Sequence, residues 1–495
     1  MAMVVPPVDH DCPLKDVVVE QANRIAKLEH DYEMLKKALV GPKSERSKMP
    51  RPNVGKKSTP EERLAKRRAN AKAKQQLQTV RTELKVPAEA KHCPDCGAVD
   101  EMKPIGKGRE TTVFEFIPAR FIRHVYVQEV LRCECRNYVV TAPGAPKVVT
   151  GGRYSASFLA HLVVAKCADS LPIYRIEKDY HRQGIPIARS TMNALLHTAS
   201  TITKPIWVRV LDKIKVRAVV QADETRLRML KDGIDGKGKP KNGFVWTFVA
   251  EDDDGGVDVA YLYAADRSGD TPKKTLGDTP GYLLVDEYSG YNEVAKAAKR
   301  KRAACHAHLR RYFHDALKTA PIAQEAIDLI LELYRVEYEA QQRGFAKKPA
   351  HLVLRHAKSA PIRAKLKAWL DKQKPKHRPK SPIGIAIRYG LNHWDDFGRF
   401  LEDPRISLDN NASERSLRRV AVGRKNYLFV GDVDAGTNIA GLYTLIGTCE
   451  ARGINPFAYL ADVIPRVEED LPDKELDALL PGAWAAARAA AQPSQ

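Results

Sequence analysis

The sequence predicts a multidomain α+β protein: helical and cysteine-bearing segments lead into an α/β core, which a long basic helical insertion splits in two. Three observations carry this. Apolar residues recur at helical spacing in the first 40 residues. After Ile206 the character changes to α/β, with strand-like runs separated by polar turns. Helical sequence rich in Lys, Arg and His then returns from His306 to Trp394, before one more segment of core character.

Leu14, Val18, Gln21, Ile25, Leu28, Tyr32, Leu35 and Leu39 fall at alternating steps of four and three. This heptad seam, with Val18 and Ile25 at a positions and Leu14, Leu28 and Leu35 at d positions, predicts a coiled coil over residues 1–40 that makes a homodimer or higher oligomer. The alternative is an amphipathic helix packed on its own domain. Gly41-Pro42 stops it, and residues 41–88 form a basic linker. Within the linker Thr59-Pro60-Glu61-Glu62 starts a helix that is either solvated or a DNA-contacting arm.

Residues 89–150 hold Cys93-x-x-Cys96 and Cys133-x-Cys135, with strand-like runs (Thr111–Phe116, His124–Leu131) between the pairs. Thiolates offered two by two from tight turns suit tetrahedral zinc in a closed, structural site. Of the eight cysteines, the other four are scattered, which fits a reducing compartment and not a disulfide framework. Residues 151–205 read as helix-turn-helix: Pro172–Tyr180, a turn at Gly184, then Ala188–Thr198 with Arg189 and Thr191 near its start, where base contacts would arise. The alternative is a plain helical hairpin.

The first part of the core spans 206–305. Val216–Gln221 reads as a strand ending at Ala222-Asp223-Glu224-Thr225. Phe244–Ala250 and Val257–Tyr263 complete an antiparallel meander. Gly281–Val285 is a buried strand ending at Asp286, followed by a helix at Tyr291–Lys299 and a short strand near Ala303. The insertion covers 306–395. The second part of the core, 396–455, carries Glu414 at the start of a helix capped from Asp409, Asn410 and Asn411. The spacing Asn411-x-x-Glu414 also fits a capping box, a purely structural use of the carboxylate. Residues 456–495 form a helical tail that is expected to fray beyond Pro472.

Either aspartate alone is an ordinary turn residue. Together with Glu414 they follow the order strand–acid, meander, strand–acid, helix–acid, which is the layout of an RNase H-like core. Three carboxylates converging at a sheet edge make a hard-oxygen site for Mg²⁺ or Mn²⁺, and two such ions promote in-line phosphoryl displacement. Lys plus Arg exceed Asp plus Glu by 82 to 61, a net charge of +21, so the natural partner is a polyanion such as DNA. Arg310, Arg311, Arg415, Arg418, Arg419, Arg424 and Lys425 surround the acids in sequence and would hold its backbone. Cys305-x-x-His308 could bind a metal or steady the site. No secretory signal and no apolar run of about 18 residues is visible, which excludes a membrane span and points to a cytoplasmic, nucleoid-associated protein.

These motifs resemble those of the insertion-sequence-66 family of DDE-type transposases. The resemblance is carried by Gly41-Pro42-Lys43-Ser44-Glu45-Arg46, the four cysteines, Leu171–Thr191, Asp223-Glu224-Thr225, Gly281–Tyr291, Cys305–Phe313 and Asp409–Phe429, in the family's order along almost the whole chain. Departures are modest: Val40 stands where Phe usually precedes the Gly, Glu287 replaces a Gly, and Asp432 follows Gly431 where Ser is usual. The resemblance implies a catalytic triad of Asp223, Asp286 and Glu414. It implies an insertion within the 128-residue interval between the last two (414 − 286 = 128). It also implies binding to the element's terminal inverted repeats and to target DNA, with small accessory proteins of the same element as further partners. The alternatives are a transposase-derived DNA-binding protein without activity and an RNase H-like nuclease.

Overall fold

The computed structural model describes residues 152–234, 240–297, 300–468 and 471–491, with short pieces before them at 64, 68, 121–127, 129–132, 139–141 and 148. The chain divides into two compact units, 1–115 and 116–495. Of the first, only Leu64 and Arg68, both exposed and helical, are described. The heptad seam, most of the basic linker, and Cys93, Cys96, Cys133 and Cys135 lie outside the described residues.

In the second unit β1 (Val130–Arg132) and β2 (Val139–Thr141) form an antiparallel pair in the register Val130↔Thr141. Helices α1 (Ala156–Val163), α2 (Ile173–Arg182), α3 (Arg189–Ile202) and α4 (Lys204–Lys215) follow. Ser155 caps α1, its hydroxyl accepting from the Phe158 N–H at 3.3 Å. Gly184 supplies the left-handed turn between α2 and α3, with φ of +82°. Ile176 and Tyr180, one turn apart, bury the inner face of α2.

The sheet contains β3 (Val219–Ile234), β4 (Pro240–Glu251), β5 (Val257–Ala264), β6 (Gly281–Val285) and β7 (Arg300–Ala304) in the spatial order β5-β4-β3-β6-β7. The first three are antiparallel. β6 and β7 run parallel to β3. Parallel pairing needs crossovers, supplied by α5 (Asp270–Leu276) before β6 and α6 (Asn292–Ala297) before β7. Strand β3 does not stop at Asp223 as the sequence implied. It continues to Ile234 because Leu227 and Met229 keep the apolar alternation and β4 pairs with it to its end.

One face of the sheet packs Val220, Ala222, Trp246, Phe248, Leu283 and Val285 against Val210, Leu211 and Ile214 of α4. The insertion is α7 (His306–Ala316), α8 (Ala323–Gln342), α9 (Pro349–Leu354), α10 (Ala360–Gln373) and α11 (Pro382–Asn392), with its own core around Leu309, Phe313, Ile330, Leu366, Leu370 and Ile387. Helix α12 (Asn411–Tyr427) then leads through β8 (Phe429–Val430) into α13 (Val433–Ala451).

Helix α13 is apolar on nearly every side from Ile439 to Cys449 and buried over that span. It shields the outer edge of β5, where Thr444 Oγ1 accepts from the Tyr261 N–H at 2.9 Å and Thr448 Oγ1 from the Val259 N–H at 3.1 Å. Two threonines one helical turn apart thus satisfy alternate donors of an edge strand. The tail does not fray where the sequence predicted it. Helices α14 (Pro456–Val463), α15 (Asp473–Ala478) and α16 (Pro481–Ala491) pack back onto the core. Trp484 is only 7% exposed and its indole N–H donates to Asp462 at 2.7 Å. Burying such a side chain is worth roughly 1.5–3 kcal/mol, and tertiary packing of this kind is what holds a helix too short to be stable in isolation. Among the described residues no helix is long and apolar enough to cross a membrane.

Candidate active site

β3 pairs in parallel with β6 through Val219↔Tyr282, Val220↔Leu283 and Gln221↔Leu284. Asp223 and Asp286 each lie two residues beyond the last of these pairs, so the two acids stand at one level where the strands part. β3 gains its next partner on this side at Arg228, which pairs with Phe429 of β8. Between Gln221 and Arg228 one side of β3 is therefore bare of strand pairing among the described residues, and Asp223, Glu224 and Thr225 occupy that gap.

Helix α12 fills it. The residue at its N-cap position, Asn410, is buried and turns its amide sideways to donate to the Ala222 carbonyl at 2.8 Å. Further along, the Arg424 guanidinium donates to the Arg226 carbonyl at 2.9 Å and to Thr225 Oγ1 at 2.7 Å. Carbonyls that a neighbouring strand would otherwise engage are taken by side chains of one helix. The capping-box expectation fails for the same reason: Asn411 is already helical, and Asn410 spends its side chain on β3. Glu414, 33% exposed, is left facing the gap, and its near neighbour is His308, with Nε2 3.8 Å from Oε1.

The side chains of both aspartates are held locally. Asp223 Oδ1 accepts from the Glu224 N–H at 2.8 Å, and Asp286 Oδ1 from the Tyr288 N–H at 3.0 Å. The buried Arg302 donates to the Asp286 carbonyl and to the Asn292 side chain. Burial, then the adjacent Glu224 and the Asp286 and Glu414 carboxylates, push the Asp223 carboxyl up from 3.8 to about 8. The three predicted acids are thus electrostatic neighbours, although among the described residues no three His, Cys, Asp or Glu side chains converge closely enough to enclose an ion as they stand.

Glu224 is a fourth acid, which the sequence reading quoted only as part of a motif. It is 2% exposed, bonded to Arg267 and to the Tyr291 hydroxyl at 2.5 Å. Its burial raises its pKa, and the Tyr291 and Arg267 bonds oppose that rise. The arginine lies 43 residues away in sequence (267 − 224 = 43), so spacing alone could not reveal the pair.

Cys305 is buried, and burial pushes its thiol up to about 12. Its sulfur accepts the Asn410 N–H at 3.3 Å, so it acts as a neutral acceptor in the packing. Of the cations expected to hold DNA, Arg311, Arg415, Arg418 and Lys425 are exposed and Arg310 is partly so. Arg419 corrects the expectation: it is 13% exposed, paired with Glu450 and donating to the Cys167 carbonyl at 3.3 Å. Arg424 is likewise spent on β3. Periodicity explains both, since Arg419 lies one turn before the buried Gly423 and Arg424 one turn after the buried Val420. On α3, Arg189 is exposed and paired with Glu177 at 2.6 Å, and Thr191 is half-buried.

A mixed sheet with an acid-bearing edge, capped by a cationic helix in a basic chain, fits the catalytic core of a transposase. Family models agree: the description "Transposase IS66 family" matches residues 151–438, "IS66 C-terminal element" matches 444–481, and "zinc-finger binding domain of transposase IS66" matches 90–136. The chain therefore belongs to the IS66 family of transposases. It is similar to two Sinorhizobium fredii proteins described only as "Uncharacterized protein y4qI" and "Uncharacterized protein y4jD". Each is 32% identical, over 401 residues (78% of this chain, 73% of the relative) and 418 residues (81% and 80%) respectively. The zinc-finger match contains Cys93, Cys96, Cys133 and Cys135.

Proposed function

We propose that this chain is an active DDE transposase with an RNase H-like core, cutting DNA at the ends of its own element and joining them to target DNA. Asp223, Asp286 and Glu414 are its catalytic carboxylates. The observation that carries this is the shared level of Asp223 and Asp286 on adjacent parallel strands, with α12 docked through Asn410 beside Asp223. The strand order β5-β4-β3-β6-β7, three antiparallel strands and then two parallel ones, supports the RNase H-like reading.

The residues fit divalent ions in kind. The three acids are oxygen donors and electrostatic neighbours, and one of them, Asp223, is driven toward protonation by burial and by the carboxylates around it, as expected where a cation normally offsets the charge. Bound Mg²⁺ or Mn²⁺ supplies activation of a water or 3′-hydroxyl and stabilisation of the leaving oxygen. The protein's own part is positional. Arg302 and the β3–β6 ladder fix Asp286, Asn410 fixes the start of the Glu414 helix, and Arg415, Arg418, Lys425 and Arg311 offer exposed cations to the phosphodiester backbone. Structural zinc at Cys93, Cys96, Cys133 and Cys135 shapes the DNA-binding segment before the core. α2 and α3 read the terminal repeats, with Arg189 and Thr191 at the contact. Residues 1–40 bring two or more copies together on DNA in the cytoplasm, at the nucleoid.

The test is a Mg²⁺-dependent cleavage and strand-transfer assay on DNA flanking the reading frame, with Asp286→Asn beside wild type. Nicked 3′ ends and joined products, both absent in the variant, are expected. Cleavage without joining would leave a nuclease. Salt-sensitive binding without cleavage would leave a DNA-binding derivative, and cleavage persisting in Asp286→Asn would displace the site.

A further inference from the structure

We propose that His308 is a nitrogen ligand of the divalent ion held at Glu414, and that Cys305 is the positioning residue that sets it there. This rests on the acid-site reading above and adds a donor to it.

His308 sits in the first turn of α7, three residues after Cys305. Its Nε2 lies 3.8 Å from Glu414 Oε1, too long for a hydrogen bond and close to the spacing of two ligands on one metal, roughly 3–3.5 Å for bonds of about 2.1 Å. The side chain is 20% exposed, so Nε2 lies where the acids face solvent. The other ring nitrogen, Nδ1, is buried and has no partner. A histidine in a packed protein ordinarily engages at least one nitrogen. Here Nδ1 has no partner, and Nε2 approaches a carboxylate of the acid site.

Cys305 explains how the ring comes to be there. Its buried sulfur accepts the N–H of Asn410 at 3.3 Å. Cys305 immediately precedes α7, so this one bond ties the start of the helix carrying His308 to the start of the helix carrying Glu414. His306 adds a second tie, its N–H donating to the Leu408 carbonyl at 2.8 Å. When Nε2 binds an ion the ring proton belongs on Nδ1. Asn410 Oδ1 is a buried acceptor without a donor, on a residue seated on the same sulfur. A nitrogen donor among oxygens also predicts a preference for Mn²⁺ over Mg²⁺.

The experiment titrates Mn²⁺ into the full chain and records pulsed electron paramagnetic resonance, which detects an imidazole ¹⁴N bound to the ion. Wild type is expected to show one such nitrogen. His308→Gln should keep Mn²⁺ but lose the nitrogen signal. Cys305→Ala should weaken Mn²⁺ binding about tenfold, as loss of an outer support does, and Cys305→Ser, which can still accept N–H groups, should restore it. Circular dichroism of each variant separates misfolding from loss of a ligand. Mn²⁺ bound without ¹⁴N coupling, or coupling that survives in His308→Gln, overturns this proposal and leaves the carboxylate site standing. Mn²⁺ binding in wild type no tighter than in Asp286→Asn overturns both.

Discussion

Replacing Asp223 by Asn should stabilise the metal-free protein, by an amount that grows with pH. The Asp223 carboxyl is raised from 3.8 to about 8, by burial first and then by the carboxylates around it. Below the lower value it is protonated in both folded and unfolded chains, and no penalty exists. As pH climbs past it, the unfolded chain ionises freely while the folded one keeps its proton, so stability falls until the folded carboxyl ionises near pH 8 and then levels off. At about 1.36 kcal/mol per pKa unit the ceiling is roughly 5–6 kcal/mol. The side chain is only partly buried, so solvent screening reduces this to roughly 2–3 kcal/mol. Asparagine keeps the shape and the acceptor for the Glu224 N–H but carries no charge. All five tryptophans (207, 246, 369, 394 and 484) lie in the described core, so their fluorescence reports its melting directly. Without added divalent ion, the variant should melt higher than wild type by a few degrees at pH 8, by less at pH 6, and hardly at all near pH 4. Adding Mg²⁺ should close the gap by stabilising wild type alone. A variant that melts below wild type at pH 8, or a gap that ignores pH, would refute the claim that Asp223 sits in uncompensated negative surroundings.

Three further outcomes follow from particular contacts. Arg355→Met strands Glu337 and the carbonyls of Phe400 and Ile406, which the guanidinium now reaches at 2.7–2.9 Å. The loss should be about 3–5 kcal/mol in chemical denaturation, only partly recovered by adding Glu337→Leu. Tyr291→Phe leaves the buried Glu224 carboxylate short of one partner and should cost about 1–3 kcal/mol by the same measurement. Cys167, Cys305 and Cys449 are buried thiols with pKa values pushed up by burial, so iodoacetamide at pH 8 should modify none of them until the chain is unfolded, as read by peptide mass spectrometry.

Much of this core was legible because its signals are local. Apolar alternation located β4, β5 and β6 to within a few residues, and the acid after Val285 marks a strand end that the structure keeps. The sequence suggests a stop at Asp223 because polar residues on one side of a strand look like a terminus. Asp223, Glu224 and Thr225 are polar because a helix, not a strand, lies beside them, and no pattern within β3 states that. The same holds for α13, whose Thr444 and Thr448 meet donors of β5 more than 180 residues away. Ala-rich sequence at the tail suggests fraying until Trp484 and Asp477 find partners on Asp462 and Arg209. The cationic run at 415–425 was read as one surface, yet helical periodicity sends Arg419 and Arg424 inward and leaves Arg415, Arg418 and Lys425 outside.

The long interval between Asp286 and Glu414 raises the question of how a helix so distant in sequence is held to β3. The answer lies in the junctions of the insertion. Arg355, fully buried at the end of α9, is anchored by Glu337 of α8 and donates to the carbonyls of Phe400, Asp403 and Ile406. That segment leads directly into Leu408, whose carbonyl receives both the His306 N–H and a contact from its ring at 3.1 Å. Leu284 and Ala303 of the sheet share a core with Leu333 of α8 and with Phe400, Ile406 and Leu408. The insertion thus clamps the approach to α12 from one side, while Asn410 bonds β3 from the other. Loosening the Arg355 clamp should move Glu414 before it unfolds the sheet, because β4 and β5 make none of these contacts. Hydrogen exchange of Arg355→Met should therefore rise first at residues 400–414 and leave residues 244–263 protected. Equal loss in both would show that insertion and sheet unfold as one unit and that the clamp has no separate hold on the acid.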